Sequence, residues 1–321
     1  MKIIQVGLGG MGNAWLRAAA TFEGVQYVGL VDIDPDIAER QAKTYGLAQS
    51  LIFPTLEDAI EETNPDGVIL VTPPDTHRDL SITALEHGVP VLSEKPLADT
   101  PEAAEDIVAA AVKAHQLHMV AQNYRYRPAT QTLRHVLSTS DLGEIGAVHI
   151  QFFRGPHFGG FRDVMDYPLI VDMAIHHFDL LRFFTGNTPD HVTGFSWNPP
   201  WSWFRGDASA ALAFHFPNGA VATYSASWCS QAGDTPWNGN WRIECANGVV
   251  WLQEDQVTLA HTGSKPHNVE LLPMLHTDQA YLLREFHRAV TEHITPPTIS
   301  TDNIQSLRMV FSAIAACAPH R

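Results

Sequence analysis

Residues 2–12 read KIIQVGLGGMG, a β-branched run followed by the spacing G-x-G-x-x-G at Gly7, Gly9 and Gly12. The run predicts a first strand over Lys2 to Val6, and a helical pattern begins after the glycines. At such a strand-to-helix turn, backbone amides and the helix dipole can receive a pyrophosphate. The stretch therefore predicts a parallel sheet that begins with a dinucleotide site.

An acidic residue stands at the spacing that this kind of site requires. Asp32 follows Gly12 by roughly 20 residues and ends a predicted second strand, where a carboxylate can accept hydrogen bonds from the adenine ribose hydroxyls. Its charge would repel a 2′-phosphate, and no Arg or Lys follows before Arg40. The sequence therefore favours NAD over NADP. A glycine-rich turn beside an unrelated acidic loop is the alternative.

The alternation of elements changes near residue 121. Before it, β-branched runs alternate with helical patterns, which is typical of a doubly wound parallel sheet with crossover helices. After it, strands follow in succession, and the turns Pro217-Asn218-Gly219 and Ala246-Asn247-Gly248 predict antiparallel pairing. We expect an α/β dinucleotide-binding domain in residues 1–121 and an α+β domain in residues 122–321, whose C-terminal helices could pack back on the first domain.

Composition excludes several classes of protein. A chain of 321 residues with 45% hydrophobic content can bury a core, and its net charge of −15 would repel nucleic acid. No apolar run reaches the ~20 residues that span a bilayer. Three cysteines form no C-x-x-C pair, and 17 histidines form no zinc-binding spacing. We expect a cytoplasmic protein with no metal site and no nucleic-acid or membrane partner.

Two further loops follow predicted strands of the first domain, at the sheet edge where doubly wound folds bind ligands. Thr72-Pro73-Pro74, with His77 after it, would form a rigid loop against the dinucleotide, and Glu94-Lys95-Pro96 would direct Lys95 toward the nicotinamide. An ordinary turn and a solvated surface lysine are the alternatives. The predicted cofactor-binding residues are Gly7, Gly9, Gly10, Met11, Gly12, Asp32, Thr72, Pro73, Pro74, His77, Glu94, Lys95 and Asn123.

The second domain contains a carboxylate and an imidazole at helical spacing. Asp172 and His176 stand at i and i+4 of a helix predicted over Leu169 to Phe184, so they share one face, whereas His177 points elsewhere. Both side chains could reach a common substrate. A simple structural pair between them and a metal site are the alternatives.

Other polar and aromatic residues could line the substrate pocket. Asn123 and Arg125 lie in the run Asn123-Tyr124-Arg125-Tyr126-Arg127-Pro128, and Arg154 and His157 follow the first strand of the second domain. Each could instead form structural hydrogen bonds. The stretch Trp197 to Phe204 could stack on a sugar ring, or it could be a packed loop or an oligomer contact.

The chain resembles the Gfo/Idh/MocA oxidoreductase family, which includes glucose-fructose oxidoreductase and inositol dehydrogenase. The resemblance covers nearly the whole chain and is carried, in order, by the glycine spacing, Asp32, Glu94-Lys95-Pro96, the Asn123 to Pro128 run and Asp172-x-x-x-His176. It implies a Rossmann domain, followed by a substrate-binding and oligomerisation domain with a large open, mainly antiparallel sheet. The outer face of that sheet would form a homodimer or homotetramer interface.

The resemblance also implies roles for individual residues. Lys95 matches the lysine of the family's E-K-P motif, and Asp172 and His176 match its acidic residue and its catalytic histidine. Many members have glycines around this aspartate, whereas Tyr167 to Val171 precede it here, so we expect a differently shaped pocket. The predicted substrate-binding residues are Lys95, Asn123, Arg125, Arg154, His157, Asp172 and His176.

We therefore expect NAD(P)-dependent hydride transfer between the nicotinamide and a secondary alcohol of a sugar, polyol or sugar derivative. His176, an imidazole with an ordinary pKa near ~6.5, would accept the hydroxyl proton, and Lys95 would stabilise the negative charge developing on the oxygen. Asp172 would orient the histidine or bind a neighbouring hydroxyl of the substrate. Two alternatives stay open: a redox-neutral lyase or glycosidase that uses NAD transiently, and a non-catalytic NAD-binding regulator.

Overall fold

The computed structural model describes residues 1–318. The chain forms two compact units: one contains Met1–Asn123 and His276–Ile304, and the other contains Tyr124–Leu275 and the chain from Gln305 onward. No helix within residues 1–318 has the length and apolar character required to cross a membrane.

The first unit is built on a parallel sheet, as the alternating pattern predicts. Within the described residues this sheet has six strands in the order β3-β2-β1-β4-β5-β6, the order of a doubly wound dinucleotide-binding fold. All neighbouring strands pair in parallel. The strands are β1 (Lys2–Val6), β2 (Gln26–Val31), β3 (Ile52–Phe53), β4 (Gly67–Leu70), β5 (Val91–Ser93) and β6 (His118–Val120).

The helices of this unit begin where the sequence places capping residues. The Thr55 and Thr100 hydroxyls accept hydrogen bonds from the backbone amides of Asp58 and Ala103, and the Asp34 carboxylate accepts one from the Asp36 amide. The apolar faces of these helices pack on the buried strands in two clusters. The helices are α1 (Gly10–Ala19), α2 (Pro35–Thr44), α3 (Leu56–Thr63), α4 (His77–Glu86), α5 (Pro101–Ala114) and, later in the chain, α8 (Asp278–Thr291).

The second unit contains a mainly antiparallel sheet. Within the described residues it has eight strands in the order β14-β13-β12-β11-β7-β10-β9-β8, and the pairing of β7 with β10 is parallel. The two predicted Asn-Gly turns join β9 to β10 and β11 to β12 in antiparallel pairs. The strands are β7 (Ile145–Phe153), β8 (His191–Trp197), β9 (Ser209–His215), β10 (Val221–Ser227), β11 (Asn240–Cys245), β12 (Gly248–Gln253), β13 (Gln256–His261) and β14 (His267–Val269).

Helices cover one face of this sheet, and one segment predicted to be α-helical has a different conformation in the structure. α6 (Pro128–Thr139) and α7 (Ile175–Thr185) form as expected, while α9 (Ser300–Cys317) contributes to both units. The prediction of a continuous α-helix over Leu169 to Phe184 was wrong in its first part, because Leu169–Ala174 is a π-helix. A π-helical turn widens the spacing of side chains and occurs often at functional sites. Asp172 lies in this turn, so it does not follow the α-helical spacing assumed from the sequence.

A buried ion pair lies among the helices of the second unit. Arg125 donates from Nε and Nη2 to the two carboxylate oxygens of Asp179, at 2.6 and 2.7 Å, and the two side chains are only 5% and 1% exposed. The Ser306 hydroxyl donates to the same carboxylate at 2.9 Å. Because these charges have left water, each depends on the other for its solvation.

We expect the substitution Asp179→Ala to lower the free energy of unfolding by about 3–5 kcal/mol, because it leaves the Arg125 guanidinium buried without its carboxylate. Urea unfolding followed by tryptophan fluorescence measures the change. The control is Asp166→Ala, which removes the exposed ion pair with Arg205 and should change stability by less than ~1 kcal/mol. Equal losses in the two variants would contradict this account.

Candidate functional site

The glycine loop after β1 is built by close backbone approach. Gly7 has a φ of +89°, and a Cβ on it would lie 2.4 Å from the Val71 carbonyl oxygen. A Cβ on Gly12 would lie 2.3 Å from the Gly7 carbonyl oxygen. The buried Gln5 side chain donates to the carbonyl oxygens of Gly7 and Gly12 at 3.1 and 2.9 Å. The glycine loop is therefore tightly packed, and the Gln5 side chain holds it from the core side.

Gly9 and Gly10 face open space. A Cβ on either would meet nothing within 4 Å, and α1 begins at Gly10. The first amides of a helix have no partner within the helix and attract an anion. The residues present therefore fit a pyrophosphate, because backbone donors face a region that side chains do not fill.

Asp32 is held at the end of β2 by two backbone amides. Its Oδ2 accepts from the Leu8 amide at 2.7 Å, and its Oδ1 accepts from the Asp34 amide at 3.0 Å. One carboxylate thus joins the glycine loop to the start of α2. This position, beside the loop and after the second strand, fits the ribose end of a dinucleotide.

His77 connects the two other predicted loops of the first unit. It is buried, with Nδ1 3.0 Å from the Pro96 carbonyl oxygen and Nε2 3.0 Å from the Thr72 carbonyl oxygen. Burial lowers the pKa of His77, so the neutral ring carries a single N–H. The Thr72 backbone lies against the glycine loop, because a Cβ added to Gly7 would lie 3.0 Å from the Thr72 amide nitrogen. Pro73 and Pro74 lead into a 3-10 turn over Pro74–Thr76.

Glu94 is buried and fixed by a residue that the sequence interpretation missed. Trp15 of α1 donates its indole N–H to Glu94 Oε1 at 2.8 Å, and Glu94 Oε2 accepts from the Lys95 amide at 3.1 Å. The Lys95-Pro96 peptide bond is cis. The helix that begins at the glycine loop thereby fixes the backbone from which Lys95 projects. Trp15 follows Gly12 by one helical turn, and that spacing was the signal available in the sequence.

Met11 and Asn123, the remaining predicted cofactor residues, contact the α8 segment of the same unit. The Met11 sulfur lies 3.9 Å from Gln279 Nε2, and Asn123 Nδ2 donates to Asp278 Oδ1 at 3.2 Å. The first unit therefore brings the glycines, Asp32, Thr72 and Glu94 into one connected set of contacts. Among residues 1–318, no group of three or more His, Cys, Asp or Glu side chains could hold a metal ion.

In the second unit, His176 lies in an aromatic stack at the start of α7. Its ring is parallel to that of Tyr124, with the centroids 4.0 Å apart and the planes at 9°. The Arg127 guanidinium carbon lies 3.8 Å from the Tyr124 centroid, and Arg127 Nη1 donates to Asn238 Oδ1 at 2.6 Å. The stack restricts rotation of the imidazole. Tyr124 and Arg127 belong to the quoted Asn123 to Pro128 run, but their role was not predicted.

His177 has a different environment from its neighbour. Its Nδ1 is 3.0 Å from the Tyr224 hydroxyl, and its Nε2 is 3.0 Å from the Trp237 carbonyl oxygen. Burial lowers the pKa of His177 to about 4, so the ring is neutral near pH 7. His177 is therefore a structural residue of the core.

Asp172 forms an ion pair that the sequence interpretation did not include. Its Oδ2 accepts from Arg162 Nε at 2.6 Å. Arg162 lies in a 3-10 helix over Gly160–Val164, in the segment that follows β7. Little in the sequence indicated this pair, because Arg162 lies ten positions before Asp172 in an irregular segment and no motif links the two residues.

The remaining predicted pocket residues have partners within the second unit. Arg125 binds Asp179 as described above. This pairing favours a structural role for Arg125 over a place in the pocket lining. Arg154 donates from Nη1 to the Thr235 carbonyl oxygen at 2.8 Å and lies 4.2 Å from the centroid of the Trp237 ring. His157 stacks on Trp203, with the ring centroids 3.6 Å apart.

The Trp197 to Phe204 stretch also has partners within the second unit. Phe204 stacks on Trp228, and the Trp201 indole donates to the Cys229 carbonyl oxygen.

Comparison with known proteins adds to this geometry. Residues 1–122 match the family model described as an oxidoreductase family with an NAD-binding Rossmann fold, and residues 130–250 match the GFO/IDH/MocA C-terminal domain. The chain is 29% identical to an uncharacterized protein of Sinorhizobium fredii, over 98% of this chain and 92% of that protein. It is 30% identical to inositol 2-dehydrogenase of an Arthrobacter species, over 58% of this chain and 54% of that enzyme.

A solved structure shares the whole architecture. The crystal structure of an oxidoreductase from Agrobacterium radiobacter, in complex with NAD+, L-tartaric acid and magnesium, aligns with a TM-score of 0.92. The alignment covers 100% of this chain and 97% of that one at 19% identity, so it shows the fold alone. The two family models together cover most of the chain and match both units in order. The chain therefore belongs to the Gfo/Idh/MocA family of NAD-binding oxidoreductases.

Proposed function

We propose that this chain reversibly oxidises a secondary alcohol of a sugar, polyol or sugar derivative, with NAD as the hydride acceptor. The observation that carries the proposal is the imidazole of His176, held in a parallel aromatic stack in a chain of an NAD-binding oxidoreductase family. The match to an inositol 2-dehydrogenase, which spans about half of that enzyme, supports a polyhydroxylated substrate.

The chain must manage one proton in this reaction. NAD, when bound, supplies the site that takes the hydride from the carbinol carbon. Because His176 Nδ1 is buried, we assign Nε2 as the atom that accepts the hydroxyl proton. Lys95 Nζ donates a hydrogen bond to the oxygen of this hydroxyl and stabilises the negative charge that develops on it. Asp172, paired with Arg162, positions a substrate hydroxyl or the histidine.

The cofactor interacts mainly with the backbone of the first unit. In the proposal the open amides at Gly9 and Gly10 bind the pyrophosphate. The Asp32 carboxylate accepts hydrogen bonds from the ribose hydroxyls and repels the extra phosphate of NADP. Thr72, Pro73, Pro74 and Asn123 contribute to the remainder of the cofactor site.

We also propose a homo-oligomer and a cytoplasmic location. The outer face of the sheet in the second unit, which the family resemblance assigns to a dimer or tetramer interface, supports the first. Among residues 1–318 the cysteines form no disulfide, which supports a reducing compartment.

Replacing Lys95 or His176 by Ala should lower turnover by ~100-fold or more, because each removes a group that acts on the transferred proton. Activity is measured by NADH absorbance with monosaccharides, inositols and sugar acids as substrates. Binding of NAD, measured by calorimetry, should persist in both variants. The double variant should be little worse than either single one, since the two groups serve one step. The controls are the exposed Lys113→Ala and His135→Ala. Full activity in both single variants would exclude the assigned roles.

The same assay separates the proposal from the two alternatives. A dehydrogenase accumulates NADH in proportion to the product formed. Product formation without net NADH would instead indicate the redox-neutral lyase or glycosidase. Binding of NAD with no product from any substrate of the panel would indicate the regulator.

Tyr124→Leu should lower kcat about tenfold, because an aromatic pair contributes up to ~1.5 kcal/mol and the imidazole loses its stacking partner. Tyr124→Phe keeps the ring and should stay within about threefold of the wild type. Steady-state kinetics of both variants, with thermal unfolding midpoints measured alongside, test this positioning role. A Phe variant as impaired as the Leu variant would contradict it.

Asp32→Ser should reduce kcat/KM with NAD about tenfold and increase it with NADP by a similar factor. The reason is the loss of charge-assisted hydrogen bonds to the ribose and of repulsion toward a 2′-phosphate. Initial rates with both cofactors give the ratio, and the exposed Asp36→Asn serves as the control. An unchanged cofactor ratio would rule out Asp32 as the selecting residue.

A further inference from the structure

Arg162 uses only part of its hydrogen-bonding capacity within the protein. Its Nε donates to Asp172 Oδ2 at 2.6 Å, and its side chain is 31% exposed. Within residues 1–318, no group accepts a hydrogen bond from its Nη1 or Nη2. A guanidinium presents its donors as a planar fork, and the edge formed by Nη1 and Nη2 matches a carboxylate in a bidentate geometry. One edge is therefore anchored and the other can receive a ligand.

Two aromatic rings flank this guanidinium. Its central carbon lies 4.6 Å from the centroid of the Phe161 ring and 5.6 Å from that of Phe158. Both phenylalanines are 57% exposed, which is unusual for large apolar side chains unless a ligand or partner covers them. Rings at this distance limit the hydration and the rotamers of the arginine. An anion that reaches the fork thus displaces less water than it would at an isolated surface arginine.

The segment that bears Arg162 is held in place by backbone hydrogen bonds to a second segment of the same unit. Gly159 and Gly160 both have positive φ, of +68° and +72°, and turn the chain into the 3-10 helix over Gly160–Val164. The carbonyl oxygens of Asp163 and Asp166 each accept a backbone hydrogen bond at 2.8 Å, from Arg205 and Asp207. The arginine is therefore presented on an anchored loop, which reduces the entropy lost when a ligand binds.

We propose that Arg162 binds a carboxylate of the substrate, so that the substrate is a sugar acid or another polyhydroxy acid rather than a neutral sugar. This inference rests on the proposed function to the extent that Asp172, the anchor of Arg162, belongs to the substrate site. Asp172 fixes the Nε edge, and the Nη edge pairs with the carboxylate oxygens of the substrate. The flanking rings contact the apolar C–H groups next to that carboxylate.

A purely electrostatic role for Arg162 makes a different prediction. If it only neutralised Asp172, its loss would affect acidic and neutral substrates alike. A fork that recognises the substrate instead changes the ratio between the two. The ratio of affinities for an acid and for its matched neutral sugar therefore separates the two roles, whatever happens to overall activity.

Calorimetric titration of the NAD-loaded protein with D-glucuronate and D-gluconate, and with D-glucose and D-glucitol as neutral counterparts, measures this ratio. The wild type should bind at least one acid ~10-fold or more tightly than its counterpart, a preference that should weaken at high salt. Arg162→Gln should abolish the preference, and Arg162→Lys should keep only part of it because lysine lacks the fork. Arg205→Gln, which removes an exposed guanidinium from the neighbouring segment, should keep it.

The outcomes separate this inference from the proposed function. Acid binding that depends on Arg162, without NADH formation from any compound of the panel, would support the inference and count against the dehydrogenase proposal. Oxidation of neutral polyols with no preference for acids in the wild type would do the reverse. Failure to bind either acid, or an acid preference that survives in Arg162→Gln, would overturn the assignment of Arg162.

Discussion

The cofactor half of this protein depends on two places where the backbone leaves no room for a side chain. Gly7 lies against the Val71 carbonyl oxygen, and Gly12 lies against the carbonyl oxygen of Gly7 itself. Any Cβ at either position would push the first strand, the first helix or the fourth strand apart. This close approach sets the direction of α1, and therefore the direction in which its first amides point. The Gln5 side chain holds the arrangement from the core side.

From that loop and the helix that follows it, fixed contacts extend to three of the other predicted cofactor residues. Asp32 is attached through the Leu8 amide, Glu94 through the Trp15 indole, and Thr72 through its backbone against Gly7. These are hydrogen bonds and backbone contacts made by buried or half-buried groups, so they vary little with solvent or salt. Lys95 thus projects from a backbone that is held at Glu94 on one side and at Pro96 on the other.

The second unit shows how two adjacent histidines acquire different properties. His177 lies in the core and is kept neutral by burial, whereas His176 stacks on Tyr124 at the start of α7. The spacing and the family resemblance predict the proton-accepting role for His176, and the contacts of the two rings supply a physical reason why the two histidines differ. The two histidines therefore differ in their contacts: a parallel aromatic ring orients His176, whereas both ring nitrogens of His177 lie 3.0 Å from polar atoms of the core.

Much of the fold was predictable from local patterns. The strand-to-helix alternation and the Asn-Gly turns both act over a few residues, and the structure confirms the parallel sheet and the mainly antiparallel sheet that they predict. The two-residue strand Ile52–Phe53 was missed because it is too short to show a period.

The candidate site was less predictable, because its key contacts join residues far apart in sequence. Trp15 contacts Glu94 across 79 positions, and the position of Trp15 one turn after Gly12 does not indicate which residue it contacts. The sequence did not indicate the π-helix over Leu169–Ala174, because its apolar residues also fit an α-helical period, and Asp172 lies within it. The sequence left Arg125 open between a pocket residue and a structural hydrogen-bonder, and the pairing with Asp179, 54 positions away, favours the structural role.

The ring of His77 has a consequence for the two loops that it joins. A neutral imidazole has one proton to give, and it stands between two carbonyl oxygens that can only accept. At any instant one loop is held by a true hydrogen bond, and the other faces a nitrogen lone pair. Moving that proton from one nitrogen to the other would change which loop is held, with no change of rotamer and no displacement of the chain. The choice of tautomer thus adds a hidden degree of freedom to an otherwise rigid cofactor edge.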